Sequence, residues 1–127
     1  TFDDFYNLKQ EYVNGWKQIA ENNYYMNNKV IVFMGYENAC VACSIAIIAA
    51  EIDAQEKRYT QGNYCRFCPI DKFREKATSF APCEKNNSVY QRWLRGPDNE
   101  RPRLAMKVAG LQWTYLDTYE RVNFEVK

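Results

Sequence analysis

The sequence predicts a mainly α fold with a minor pair of β-strands, and three patterns predict it. Apolar residues recur at spacings of three and four over residues 2–21, 44–58 and 103–121, as amphipathic or buried helices require. Only two short stretches, 30–34 and 122–126, read as strands that could pair. Two C-x-x-C motifs, Cys40/Cys43 and Cys65/Cys68, lie between the helical stretches. With 127 residues the chain is the size of one compact domain. Within 1–127 we expect an N-terminal helix over 1–21, a connector and strand over 22–39, a cysteine core over 40–83 and C-terminal helices over 88–121.

Each element follows from local chemistry. Phe5, Leu8, Tyr12, Trp16 and Ile19 form one face of the first helix, with Asp3 and Asp4 opposing the helix dipole at its start. Gly15 weakens that helix by about 1 kcal/mol relative to Ala. The Asn-rich run 22–28 favours a connector, and Val30, Ile31, Val32, Phe33 and Met34 are short, β-branched and apolar, as a strand is. Over 44–58 the isoleucines 45, 48 and 52 form a stripe while Ala46, Ala49 and Ala50 fill much of the remaining circumference, so the helix is buried in its first half. Gln61, Gly62 and Asn63 mark a turn. Pro69 suits the first position of a short helix over 71–76 with Phe73 inward.

Pro82, Asn86 and Asn87 mark the next loop, and Ser88 is a candidate N-cap for a helix over 89–94 that Gly96-Pro97 ends. There Tyr90, Trp93 and Leu94 share a face opposite Arg92 and Arg95. The last helix, 103–121, carries a main stripe of Leu104, Val108, Leu111, Tyr115 and Tyr119. A second stripe of Met106, Ala109 and Trp113 would face either a core layer or another subunit, which makes a homo-oligomer an expectation. The tail at 122–126 alternates with period two and could pair with 30–34.

Composition narrows the chemistry. Five Cys and no His exclude Ser-His-Asp and Cys-His hydrolases and His-ligated zinc enzymes. A net charge of +1 argues against affinity built on phosphate neutralisation. No stretch approaches the length of about 18 consecutive apolar residues needed to span a bilayer, so a cytoplasmic protein without a membrane partner is expected.

The cysteines carry the most specific signal. Cys43 and Cys65 are separated by 21 residues, just beyond the spacing of about 15–20 typical of two C-x-x-C knuckles sharing a zinc ion. Each knuckle aims two sulfurs at one point, and two knuckles complete a tetrahedron with sulfurs about 2.3 Å from the metal. Both pairs are expected just before helices, whose N-terminal partial charge favours thiolate. The leading expectation is therefore structural Zn2+ held by Cys40, Cys43, Cys65 and Cys68. Cys83 is either an alternative ligand or a spare thiol packed as a small hydrophobe. A disulfide framework, a redox C-x-x-C and an iron–sulfur cluster are the competing explanations. A closed four-thiolate ion has no open coordination position and so would not activate water.

From Cys40-Val41-Ala42-Cys43 through Cys65-Arg66-Phe67-Cys68-Pro69 to Cys83 and then Tyr90-Gln91-Arg92-Trp93-Leu94, the chain resembles a group of small phage-encoded proteins. These carry C-x-x-C, a spacer, C-x-x-C-P, a further Cys and a Y-x-x-W-like helix before a C-terminal helix. The resemblance spans about residues 38–120. It implies a zinc-stabilised, mostly helical fold and a phage or prophage setting, in which accessory proteins of this size often bind a host protein or a host signalling nucleotide.

Residues 92–103 hold four of the eight arginines. Guanidinium forks grip phosphate or carboxylate, and an adjacent aromatic face can stack a base. Tyr90, Arg92, Trp93, Arg95, Arg101 and Arg103 are therefore the candidate ligand-binding residues, unless the arginines simply pair with Asp98, Glu100 or other acids. Arg66 could balance a zinc–thiolate charge, and the Tyr24-Tyr25 pair is either core or a stacking platform. The sequence thus points to a non-enzymatic zinc-stabilised binding protein that sequesters an anionic ligand, such as a nucleotide immune signal, or inhibits a host protein. A zinc-ribbon or treble-clef nucleic-acid binder is the alternative, and an enzyme using carboxylates and Tyr is a third.

Overall fold

In the computed structural model, which describes residues 2–57, 64–75, 83 and 88–124, helices dominate and no sheet is present among the described residues. The order is α1 (Phe2–Glu21), α2 (Met26–Val32), α3 (Val41–Lys57), α4 (Asp71–Glu75), α5 (Val89–Arg95) and α6 (Arg101–Ala109). Short 3₁₀ turns at Glu37–Ala39, Tyr64–Phe67, Asp98–Glu100 and Asp117–Arg121 connect or flank them. The turn expected at 61–63, the loop residues 82, 86 and 87, and the end of the tail lie outside the described residues.

The core is aromatic and spans the chain from Phe5 to Val122. Helix α1 buries Phe5, Leu8, Tyr12, Trp16 and Ile19, the face its spacing predicts, and packs most extensively on α6. Trp16 meets Trp93 edge to face at 4.9 Å, and Trp93 stacks on Tyr90 at 5.9 Å. At the other end Phe5 stacks on Tyr119 at 5.4 Å, while Tyr12 packs against Trp113 at 5.0 Å. The Tyr12 hydroxyl donates to the Val108 carbonyl at 2.7 Å, which fastens α1 to α6. Helix α3 is buried along Val41, Ala42, Ile45, Ala46 and Ala49, as its alanine-rich first half predicts.

Gly15 has a packing reason. A Cβ there would stand 2.5 Å from Cζ of Phe33, a buried ring seated directly on α1. The weakness that glycine brings to the helix permits this close approach.

Three sequence expectations are corrected. Residues 30–34 are not a strand: 26–32 form α2, with Lys29 N–H bonded to the Tyr25 carbonyl at 2.9 Å and Phe33 N–H to Lys29 at 3.0 Å. The inward set there is Lys29 and Phe33, four apart, whereas Val30, Ile31 and Met34 are exposed. Helical burial with a lysine inside hides its period from any apolar count, so β-propensity misleads. With no strand at 30–34, the tail has none to pair with, and Val122 instead joins the core.

The last helix does not run over 103–121. It starts earlier, with Pro102 in its first turn, and stops at Gly110, whose N–H bonds back to Met106 and Lys107 carbonyls at 3.1 and 3.2 Å. Residues beyond Gly110 leave the helix axis, and Trp113 bridges to Ile70. Trp113 and Ala109 are core, and of the expected second stripe only Met106 is exposed. Lastly, Pro69 precedes α4 by two residues instead of opening it. Ile70 takes the capping place, its carbonyl accepting from Phe73 and Arg74 at 3.1 and 3.0 Å.

Candidate metal centre

All five cysteines line one cavity of about 440 Å³, enclosed by α1, α2, α3, the turn at Tyr64–Phe67 and α5. All five are free thiols. Cys40 and Cys83, 43 places apart in sequence, thus share a wall: Tyr12 and Tyr90 flank the thiols, Met26 adds a thioether, and Lys29 is the single charged side chain lining the cavity among the described residues.

The first knuckle is the start of a helix. Cys40 precedes α3, its carbonyl accepts the Ser44 N–H at 3.3 Å, and its sulfur accepts the backbone N–H groups of Ala42 and Cys43. The Cys43 thiol donates to the Cys40 sulfur. That bond above all, with the backbone N–H groups and the nearby Lys29 charge, holds the Cys40 thiol well below its ordinary range against the opposing effect of burial. The same bond, then burial, pushes Cys43 up. The chain reaches this start through backbone in the left-handed region, with φ of 55° at Asn38 and 49° at Ala39.

The second knuckle is built differently. Cys65 lies in the turn at Tyr64–Phe67, and Cys68 N–H closes on the Cys65 carbonyl at 3.1 Å. Burial pushes the Cys68 thiol up, although the Ile70 N–H that it accepts opposes this. Bonds from outside the turn clamp the knuckle: Tyr119 hydroxyl donates to the Phe67 carbonyl at 2.5 Å, Arg74 Nη1 to the Cys68 carbonyl at 3.1 Å, and Thr114 N–H to the Pro69 carbonyl at 2.9 Å. Both pairs therefore have the tight turns and N–H donors that the motif predicts, but only the first opens a long helix.

Cys83 is half-buried, and its carbonyl accepts the hydroxyl of Ser88. Ser88 also caps α5, accepting the Gln91 N–H at 3.1 Å, as expected. The fifth thiol is thereby tied to the first turn of α5 and faces the cavity shared with the other four.

The donor chemistry fits a thiophilic ion, since five cysteines line one cavity without imidazole, and no carboxylate lines it among the described residues. Placement is looser than donor type: among the described residues, no three Cys, Asp or Glu side chains are positioned to hold one metal ion. The thiols surround a space; they do not form a closed tetrahedron.

The arginine cluster divides. Arg101 pairs with Asp98, its Nε donates to the Trp93 carbonyl at 3.1 Å, and its guanidinium lies 3.9 Å from the Tyr25 ring centre. Arg103 pairs with Glu100 at 3.2 Å. Arg92 and Arg95 are exposed on α5 and make no ion pair among the described residues. Trp93 is 0 % exposed and has no face to offer a base, and Tyr90 lines the thiol cavity, so neither joins the arginines in an exposed stacking site. Tyr25 is the exposed ring of its pair, already covered by Arg101. Arg66 is exposed.

Lys29, Asn38 and Tyr64 belong to the cavity wall and were not singled out from sequence. Nothing in the cysteine spacing points to Lys29; only the helical period of α2 turns it inward. No helix among the described residues is long and apolar enough to cross a membrane. No protein-family model matches the chain, and no curated protein or solved structure matches it either.

Proposed function

We propose that this chain is a non-enzymatic, zinc-stabilised binding protein. The observation that carries this is the convergence of all five cysteines on one cavity. Cys40, Cys43, Cys65 and Cys68 would hold the ion, with Cys83 on the same wall as the alternative ligand. Zn2+ held by four thiolates supplies a structural cross-link and no open position for catalysis. The link would join α3 to the turn at 64–67, two elements that already pack on each other.

The binding role lies outside the cavity, on the exposed face of α5 where Arg92 and Arg95 stand without ion pairs among the described residues. Two unpaired guanidinium groups one turn apart suit an anionic ligand such as a nucleotide, or an acidic patch on a host protein. The resemblance to phage-encoded proteins supports an accessory, host-interacting role in the host cytoplasm. Exposed Met106 on α6 leaves room for a second copy of the chain as partner. The near-neutral net charge weighs against a nucleic-acid binder.

Native mass spectrometry of protein purified without chelator tests the metal. A mass increment of one zinc per chain is expected, and a metal-free chain overturns the assignment; visible absorption would reveal an iron–sulfur cluster instead. Calorimetry against a panel of cyclic nucleotides tests capture. Heat that vanishes in Arg92→Ala/Arg95→Ala supports it, and no heat for any member removes it.

A further inference from the structure

The thiol cavity contains a charge that the four-cysteine motif does not account for. Lys29 is only 4 % exposed, and its Nζ reaches the Asn38 carbonyl at 3.4 Å and lies 5.2 Å from the centre of the Tyr90 ring. It has no carboxylate partner among the described residues, and none of them places a carboxylate on the cavity wall. An ammonium has three N–H donors, and one long bond and one ring face leave it poorly compensated for a buried cation. The cavity wall it shares is otherwise sulfur, aromatic and aliphatic, with the Asn38 amide at its rim.

The complementary imbalance belongs to the metal. Four thiolates around a divalent ion leave two negative charges in a low-dielectric site, where they cost far more than at the surface. We propose that Lys29 is the built-in counter-charge of the metal–thiolate centre, a positioning and charge-balancing residue that does not itself ligate. This rests on the metal-binding reading above. Arg66, the candidate for this role in the sequence, is exposed and screened by solvent, whereas Lys29 is enclosed with the sulfurs.

Zinc affinity by competition with a chromophoric chelator tests this in the full chain. Lys29→Gln, which keeps length but removes charge, should weaken zinc binding by about 10–100-fold, the usual effect of losing a partner behind the ligands. Lys29→Arg should recover most of the loss, and Lys17→Gln, the same charge change at an exposed site, should have no effect. Equal loss in Gln and Arg variants, or wild-type affinity in Lys29→Gln, overturns the proposal. Should the variants fail to fold, the wild-type protein provides the second measurement: one equivalent of zinc should shift the Lys29 side-chain ammonium resonance, and an unmoved resonance overturns the assignment. Wild-type protein that binds no zinc at all overturns the metal reading and this assignment with it, whereas zinc binding indifferent to Lys29 overturns this assignment alone.

Discussion

The two C-x-x-C segments have the same spacing but different surroundings. Cys40 sits at the start of α3 with two backbone N–H groups and the Cys43 thiol directed at it and the Lys29 charge nearby, and is held toward thiolate. Cys68 directly follows a 3₁₀ turn, and burial is the largest influence on it and holds it toward thiol. Anchoring differs as well. The first knuckle is led in by Phe33, which seats against Gly15 of α1, and by the left-handed residues Asn38 and Ala39. Bonds from residues 74, 114 and 119, the last two remote in sequence, clamp the second. In the first pair the bond between the two thiols is the largest influence on each, whereas on Cys68 of the second pair it is burial by the surrounding fold.

The largest test of this contrast is Phe33→Ala. Emptying that buried position should cost about 3–5 kcal/mol, measured by denaturant unfolding, and should loosen amide protection around Cys40 before that around Cys68. Equal loosening of both knuckles would mean that the first is not anchored through Phe33. Gly15→Ala is the next test. Helix propensity predicts a gain of about 1 kcal/mol, but the overpacking against Phe33 costs about 1–3 kcal/mol, so a lower melting temperature is expected; a higher one would show that the ring yields freely.

On the second knuckle, Tyr119→Phe removes the donor to the Phe67 carbonyl and should cost about 1 kcal/mol, with faster exchange at the second knuckle and none at α3. The smallest effect concerns pH. Tyr36, which leads into the first knuckle, donates to the Glu11 carboxylate, and burial, then that bond, pushes its pKa above the ordinary value of 10. The folded state holds this proton more tightly than the unfolded state, so the linked stability is complete below about pH 10 and declines as pH rises beyond it. Tyr36→Phe should flatten that alkaline decline, read from unfolding midpoints across the range; an unchanged slope would assign the decline to other tyrosines.

Much of the scaffold was legible. The α1 face, the buried α3, Ser88 as a cap and the helix behind it follow from spacing and end signals that act over a few residues. Gly110 was also a legible stop: a glycine behind Lys107 is a C-terminal signal, overridden in the sequence by apolar residues that continued at helical spacing. Val30, Ile31 and Val32 could not be placed from pattern alone. Their period is carried by Lys29, a residue that counts as polar in every apolar tally.

At the candidate site the same division holds. The placing of four cysteines in two tight turns, and the absence of histidine from the site, were determined by the sequence alone, because C-x-x-C spacing and composition are local facts. Which segments meet at the thiols was decided only by tertiary structure: Cys83 on the shared wall, Lys29 turned inward, Trp93 sealed in the core, and Arg101 and Arg103 committed to neighbouring acids. The physical reason is range. Turns, caps and helical faces are set by neighbours within a few residues, whereas burial, charge compensation and exposure are set by packing between residues far apart along the chain.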